Sequence, residues 1–519
     1  MELALTFDPA GFCLDLAAAG LAAADLDSLS ENLQSAHAAM VAIEAGAIAN
    51  IDEHRQVTHF TDRTTYADSE PFDSVESFFV AVAAGEVLGS TGKSFQAVIL
   101  NGIGGSALGP QLAQLALRGP YWNEWSPDQR GGRPRIYFAD NTDAAGLTDI
   151  LNVVDLEQTL TVSISKSGGT RETYNNMAAL QRCYAAKGLD FGRHAAAVTM
   201  SGSKLDDLAR ANDWLQIWPM PESIGGRTSE TAIVGHVAAA AAGIDFRALI
   251  NGAIAMDDLT RNPVVAENPA YMLAAAWYCL GNGCGDRNMV VIPYSDRLSL
   301  LSRYLQQLVM ESLGKEFDRD GNVVHQGLSV FGNKGGTDAH AYVQQLQDGS
   351  DDFFVTFIEV LKDAAEYDTG DFMMGDYLHN FLQGLSDALA AKGRPVIRIT
   401  IDDLSPYSLG MLIALYERAV AAYAELVNIN AFHQPGVQAY KEMSKGIDAI
   451  MQDILNNFNA GEFSGTADTL AATLGRTDAV AAVDGILSKW AVNGRTFANR
   501  QLNRELRAGR WWYTLSTVA

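Results

Sequence analysis

The chain has 519 residues, and its 48% apolar and 19% charged content is that of a folded globular protein rather than a fibrous or disordered one. The 37 basic and 62 acidic residues give a formal net charge of −25, which disfavours binding to nucleic acid and to anionic membranes. An anionic substrate would therefore have to meet cations and backbone amides concentrated in its own site.

Cysteine content and the length of apolar stretches indicate the cellular compartment of the protein. Four cysteines are too few for a disulfide framework in so long a chain, and they form no metal-binding set with histidine, so we expect free thiols in a reducing compartment. The first residues lack the basic and apolar regions of a signal peptide. The longest apolar stretches, such as residues 237–244, are too short to span a bilayer. The sequence predicts a cytoplasmic protein.

Apolar periodicity predicts the elements in chain order. Residues 14–50 are rich in alanine and leucine at helical spacing, which indicates a helical N-terminal segment over residues 1–70. From residue 97 onward, continuous apolar runs alternate with glycine or polar turns and helical stretches, a pattern typical of a parallel sheet covered by helices on both faces. The first series of runs is 97–103, 136–139, 160–164, 195–200 and 215–218.

A second series of similar plan follows a helical connection. Its apolar runs are 289–292, 323–331, 353–358 and 395–401, with helical stretches at 298–313, 337–347 and 408–427. The sequence therefore predicts an α/β protein with two doubly wound parallel-sheet domains and helical N- and C-terminal extensions. We place the domains at 71–245 and 286–430, the helical connection at 246–285 and a helical C-terminal segment at 431–519.

A glycine-rich turn, N-G-I-G-G-S-A-L-G at residues 101–109, follows the first strand and opens a helix. Glycines allow a tight turn and a close approach to a ligand, and a helix N-terminus offers free N–H groups to an anion. The spacing differs from the dinucleotide-binding fingerprint. Because such turns also serve packing alone, this motif leaves phosphate binding and packing equally open.

A second turn, S-K-S-G-G-T at residues 165–170, follows the strand 160–164. Its three hydroxyls and one lysine precede a helix, where hydrogen-bond donors, charge and the helix dipole all favour a phosphate. The alternative is a helix cap formed by Ser167 or Thr170. Since a cap needs only one hydroxyl, this motif predicts a phosphate-binding loop.

Four further segments each contain a chemically active residue that pattern alone assigns to structure. Arg227 follows a glycine pair and would usually be a surface ion-pair partner, while Glu311 and Lys315 have the i, i+4 spacing of an exposed pair. Taken singly, His340 is typical of a hydrogen-bonded structural histidine and Lys441 of a solvated helix lysine.

Together, the six segments resemble the glucose-6-phosphate isomerase family in order and content, over about two thirds of the chain. The resemblance implies two sugar-isomerase (SIS) type domains with helical extensions and a homodimer. It implies reversible isomerisation of glucose 6-phosphate and fructose 6-phosphate, in glycolysis and gluconeogenesis, through ring opening and a cis-enediol(ate). The motifs that carry it are N-G-I-G-G-S, S-K-S-G-G-T, I-G-G-R, M-E-S-x-G-K, G-T-x-x-H and H-Q-P-G-V-x-x-x-K.

The resemblance also implies site residues and requires no metal or redox cofactor. Glu311 is implied as the base that moves the proton between C1 and C2, and Arg227 as the cation beside the enediolate. His340, entering from the partner subunit, and Lys441 are implied in ring opening, and Gln434 as a contact to the sugar and phosphate. The implied phosphate-binding residues are Gly104, Gly105, Ser106, Ser165, Lys166, Ser167 and Thr170.

The chain departs from the commoner pattern of that family at three places, one of which is the loop 331–339, where the usual Glu-Pro and Gln-His arrangement is absent. Residues 228–231, T-S-E-T, follow Arg227 where many members have an aromatic and then apolar residues. His433 and Pro435 flank Gln434 where an aspartate and a tryptophan are frequent. These differences bear on substrate affinity and loop geometry rather than on the class of reaction.

Two alternative functions remain open from the sequence. One is another phosphosugar isomerase of the same superfamily, such as one that acts on a phosphomannose or an amino sugar. The other is a phosphosugar-binding regulator without catalysis. A pure binder has no need for Glu311, His340 and Lys441 together, which favours the enzyme.

Overall fold

A computed structural model describes residues 3–518, without the side chains of Pro9, Gln438 and Tyr440. The helices are α1 Ala23–Asp27, α2 Ser30–Glu44, α3 Arg63–Tyr66, α4 Glu70–Ala83, α5 Leu108–Arg118, α6 Ala144–Val153, α7 Arg171–Ala186, α8 Lys204–Ala211, α9 Ile233–Ala241, α10 Phe246–Thr260, α11 Pro269–Leu280, α12 Leu301–Leu305, α13 Val343–Asp348, α14 Met374–Ala391, α15 Pro406–Leu426, α16 Pro435–Ala460, α17 Ala467–Thr473 and α18 Val480–Val492. The strands are β1 Ala4–Phe7, β2 Phe12–Asp15, β3 Ile48–Asn50, β4 Arg55–Gln56, β5 Ala97–Asn101, β6 Arg135–Ala139, β7 Thr159–Ile164, β8 Ala195–Thr199, β9 Gln216–Pro219, β10 Asn288–Pro293, β11 Lys315–Phe317, β12 Val323–Gln326, β13 Val330–Phe331, β14 Phe353–Val360, β15 Val396–Ile401, β16 Ser464–Gly465, β17 Thr496–Phe497, β18 Arg500–Arg507 and β19 Arg510–Thr517.

The first series of predicted strands forms a five-stranded parallel sheet in the order β6-β5-β7-β8-β9. Every residue of β5, β7 and β8 is buried, as expected for strands with helices on both faces. The strand order reverses between β5 and β7. In open α/β sheets, ligands bind at the carboxyl ends of the strands at such a reversal.

The second series repeats this plan. Strands β13, β10, β14 and β15 lie side by side in parallel, so the order again reverses between the first and third strands in sequence, β10 and β14. The predicted strand 323–331 is divided: β12 leaves the sheet and pairs with β11, and only β13 joins β10.

The N-terminal segment contains strands that the sequence analysis did not expect. Strands β1 and β2 form an antiparallel hairpin, and β2 pairs with the edge strand β15, with Phe12 opposite Ile401. Phe12 and Leu14 are buried while Cys13 and Asp15 are only partly so, which is the alternation of a strand with one face on the core. The expected helices, α2 among them, follow this hairpin.

Helices α10, α11 and α15 pack together, and each of them buries more than half of its residues. All residues of α15 from Ser408 to Ala424 are buried, and α15 packs against α10 and α11. Charges inside this layer are paired: Arg63 contacts Glu417 and Asp257, and Arg418 contacts Asp257 at 2.6 Å. Among the helices described, none is both long and apolar enough to cross a bilayer.

The described residues up to His433 form one compact unit, and those from Gln434 onward form a second. Both large sheets belong to the first unit, so the predicted boundaries at 71–245, 246–285 and 286–430 stay predictions.

The second unit contains α16, α17 and α18 together with a four-stranded antiparallel sheet in the order β16-β19-β18-β17. The sequence analysis expected helices throughout this segment, and it was wrong for β18 and β19. The hairpin forms because Leu502, Tyr513 and Leu515 alternate toward a buried face. Its turn holds Ala508 and Gly509 at φ of 49° and 78°, as a tight two-residue turn requires.

Candidate active site

The two glycine-rich turns leave the first sheet side by side at the reversal of strand order. Strands β5 and β7 are paired, with Asn101 opposite Ser163, so residues 102–107 and 165–170 lie at the same carboxyl edge. Helix α5 begins directly after the first turn and α7 after the second, and their N-terminal N–H groups lie at this edge. The predicted phosphate-binding residues are thus in two neighbouring loops, which we call the first and second loops.

Hydroxyl groups in the second loop make hydrogen bonds within the loop rather than capping α7. The Ser165 hydroxyl donates to Oγ1 of Thr170 at 3.3 Å, and Oγ of Ser167 accepts from the N–H of Gly169 at 3.2 Å. Thr170 occupies the N-cap position, yet among the described residues its side chain caps no N–H of the helix. The helix-cap alternative for this motif is therefore wrong.

Lys166 connects the second loop to the I-G-G-R segment. Its Nζ donates to the carbonyl of Glu222 at 2.5 Å and to that of Ile224 at 3.2 Å. Burial, together with the nearby charge of Arg55, lowers the pKa of Lys166 to about 8. The lysine is thereby held at the start of the loop that carries Arg227.

The first loop packs directly on that segment. A methyl group at Gly105 would lie 1.9 Å from the carbonyl oxygen of Gly226, so only glycine allows the two backbones to approach this closely. The hydroxyl of Ser229 donates to the same carbonyl at 2.7 Å. The first loop, the second loop and the segment 222–229 therefore form one continuous surface.

Arg227 is buried, which makes the interpretation as a surface ion-pair partner wrong. Its Nε donates to Oγ of Ser312 at 2.7 Å, and Nη2 donates to the carbonyl of Ala431 at 2.5 Å. Nη1 lies 3.7 Å from Oε1 of Glu311. Burial lowers the pKa of Arg227 and the carboxylate of Glu311 opposes that shift, so this guanidinium remains a cation.

Glu311 is the last residue of a π-helical turn, Gln306–Glu311, that continues α12. Such turns are rare and are frequent at functional sites. One residue of this turn, Gln307, lies against the first loop, with its amide nitrogen 3.0 Å from where a methyl group at Gly104 would be. The turn thus faces the first loop at one end and Arg227 at the other.

Lys315 does not form the exposed pair with Glu311 that their spacing suggested. It is 4% exposed, and Nζ donates to the backbone carbonyls of Glu311 at 3.0 Å and Ser312 at 2.6 Å. Burial, reinforced by the charge of Arg227, lowers the pKa of Lys315 to about 7. A lysine that binds the last carbonyls of a helix has the same sequence spacing as an i, i+4 pair, so the sequence could not separate the two.

Three further predicted residues lie on other segments of the chain. His340 is exposed at the end of a 3-10 turn, Asp338–His340, whose first residue is buried. Among the described residues, no hydrogen bond or ion pair joins the side chain of His340 to Glu311 or Arg227. Gln434 takes the N-cap position of α16 in the second unit, and Lys441 is exposed on that helix. The roles of these three residues stay predictions.

The sequence analysis missed a pair beside the cluster. Nδ1 of His433 lies 2.9 Å from Oδ2 of Asp52, and the carbonyl of His433 accepts from Arg227 at 3.5 Å. Burial lowers the pKa of His433, which the Asp52 carboxylate opposes. Since 381 residues separate Asp52 from His433, no local pattern could have revealed the contact.

Comparison with known proteins agrees with this arrangement. A family model described as phosphoglucose isomerase matches residues 23–391 and 387–471. The chain belongs to the phosphoglucose isomerase family. This confirms the resemblance seen in the motifs and, with the two parallel sheets, the predicted fold class.

Relatives of this phosphoglucose isomerase family member extend over nearly its whole length. A glucose-6-phosphate isomerase of Geobacter sp. (strain M21) is 47% identical over 90% of this chain and 89% of its own. One of Gloeothece citriformis is 44% identical over 93% of each chain. The crystal structure of a glucose-6-phosphate isomerase from Chlamydia trachomatis has 29% identity and a TM-score of 0.77, covering 87% of this chain and 90% of its own.

The contact between Gly105 and Gly226 gives a test of the assembled surface. Gly105→Ala would force the first loop away from the segment that carries Arg227, and we expect kcat/KM to fall by about 10²-fold, because small displacements of catalytic groups are costly. Gly146→Ala is the matched control, since a methyl group there meets no atom within 4 Å. Steady-state kinetics at equal folded fraction measures both, and equal activity of the two variants would contradict the contact.

Proposed function

We propose that this chain catalyses the reversible isomerisation of glucose 6-phosphate and fructose 6-phosphate through a cis-enediol(ate), in glycolysis and gluconeogenesis. Family membership and near full-length similarity to glucose-6-phosphate isomerases support the reaction. One observation carries the assignment of the chemistry to residues. A carboxylate, Glu311, lies beside a buried guanidinium, Arg227, with Nη1 and Oε1 separated by 3.7 Å.

The phosphate binds at the first and second loops. Gly104, Gly105 and Ser106 offer backbone and hydroxyl donors, and Ser165, Ser167 and Thr170 add hydroxyls at the start of α7. Lys166 supplies a positive charge whose Nζ is already held on two carbonyls, so little entropy is lost when it meets an anion. This local concentration of donors opposes the net charge of −25.

Glu311 is the base that moves the proton between C1 and C2. A carboxylate can take up and return a proton within one site, and its side chain is only 20% exposed, which limits competition from water. Arg227 provides fixed positive charge where the enediolate forms. Because a guanidinium does not give up its proton near neutrality, it stabilises the intermediate without quenching it.

Ring opening requires an acid and a base near the ring oxygen, and we assign these roles to His340 and Lys441, with Gln434 contacting the sugar and phosphate. The exposed position of His340 supports its entry into the site of a partner subunit, and thus a homodimer. The reaction as proposed uses no metal or redox cofactor. Free thiols at all four cysteines support a cytoplasmic location.

Replacing the base tests the chemistry. Glu311→Gln keeps the size of the side chain but cannot accept the proton, so kcat should fall by about 10²–10⁴-fold. Affinity for sorbitol 6-phosphate, which keeps the phosphate but has no carbonyl, should change little. Glu316→Gln, the same change at an exposed residue five positions on, is the control. The assay couples glucose 6-phosphate formation to its dehydrogenase, and a kcat within tenfold of wild type would contradict the assignment.

Mixing two inactive variants tests the shared site. If each site combines Glu311 of one chain with His340 of the other, a heterodimer of Glu311→Gln and His340→Ala has one doubly defective site and one intact site. Each heterodimer should therefore show about half of wild-type activity, although each parent is nearly inactive. Differential tags isolate the heterodimer after subunit exchange. An isolated heterodimer that remains inactive means that both residues come from one chain.

A further inference from the structure

The amine of Lys315 is buried without an ion pair to a carboxylate among residues 3–518. Its only partners there are the backbone carbonyls of Glu311 and Ser312. Burying an ammonium group against neutral acceptors is costly, and an apolar side chain of similar length would occupy the same space at lower cost. The position of the amine therefore needs a reason other than packing.

The two carbonyls lie where the π-helical turn ends and β11 begins. Carbonyls at a helix C-terminus lack partners within the helix, and a cation there is favourable because it meets the negative end of the helix dipole. Through these bonds Lys315 fixes the backbone of Glu311. It also fixes the backbone of Ser312, whose hydroxyl accepts from Nε of Arg227 at 2.7 Å.

We propose that Lys315 is a positioning residue for the proton transfer: it holds the peptide units of Glu311 and Ser312 so that the carboxylate and the Arg227 guanidinium keep their separation. This rests on the proposed function, and it assigns Lys315 no contact with the substrate. Removing its amine should therefore affect turnover rather than affinity.

In the described part of the chain, ionisable groups from four segments interact electrostatically with Lys315. Glu311 lies on its own turn, Arg227 on the segment after β9, Asp52 after β3 and His433 after α15. Burial and Arg227 outweigh Glu311 and Asp52, so the pKa of Lys315 is about 7 in the folded chain, against 10.5 for a free lysine. Between pH 7 and pH 10.5, Lys315 binds more protons in the unfolded chain than in the folded chain. The contribution of Lys315 to the free energy of unfolding therefore rises with pH over this range.

The kinetic test replaces Lys315 by methionine, which removes the donors at similar length. For Lys315→Met we expect kcat to fall by about 10²-fold, with the dissociation constant of sorbitol 6-phosphate unchanged within about threefold. Lys93→Met, at an exposed lysine, is the control and should match wild type. Should Lys315→Met fail to fold, Lys315→Gln, whose amide still donates to a carbonyl, should show a smaller loss of kcat, about tenfold, with the same unchanged affinity.

A kcat of wild-type size in the folded variant, or a loss of affinity as large as the loss of turnover, would overturn the proposal. Unfolding of wild type and Lys315→Met across pH 7 to 10 adds a second readout, in which wild type should gain stability relative to the variant. If the difference in stability between wild type and Lys315→Met did not change with pH, the amine of Lys315 would not be buried, and the proposal would be overturned as well. A wild-type protein without isomerase activity would instead overturn the proposed function, which separates the two failures.

Discussion

The buried guanidinium of Arg227 joins segments that are far apart in the chain. It bonds to Ser312 after the π-helical turn and to the carbonyl of Ala431 after α15, and it lies beside Glu311. Its neighbour Gly226 is in backbone contact with Gly105 of the first loop. A charge withdrawn from water is tolerated only where its partners are correctly placed. The position of this one side chain therefore depends on both sheets at once.

The two sheets share a strand order but contribute different parts of the proposed site. In the first sheet, the turns after β5 and β7 form the first and second loops, to which we assign the phosphate, at the reversal of strand order. In the second, the helical segment after β10 carries Glu311, and the turn after β13 carries His340. The proposed function thus divides phosphate binding and proton transfer between two copies of one architecture, and Arg227 lies between them.

The strands of the two sheets and the positions of the two glycine-rich loops could be predicted from the sequence because they depend on local patterns. Uniform apolar runs identified the strands that are buried on both faces, and hydroxyls and glycines at strand ends identified the loops. The hairpin of β1 and β2 was missed because its strands have only four residues each and are stabilised by pairing with β15, almost 400 residues away. The β18–β19 hairpin was missed because charged residues on its exposed face obscure a narrow buried stripe.

Burial of single polar residues could not be predicted from spacing. Lys315 follows Glu311 by four residues in the sequence whether its amine pairs with the carboxylate or binds the backbone carbonyls. Only the packing around Lys315 decides between these two arrangements. The pair of Asp52 and His433 likewise depends on a contact between the segment after β3 and the segment after α15.

The most direct test of this account is kcat/KM for Arg227→Lys. Lysine keeps the positive charge but offers a single nitrogen, which cannot at once bond to Ser312 and to the carbonyl of Ala431 and remain beside Glu311. If the rigid, planar arrangement of the guanidinium nitrogens is what holds these partners in place, kcat/KM should fall by about 10²–10³-fold, close to the loss in Arg227→Met. A value within about threefold of wild type would mean that charge alone suffices, and it would contradict the account.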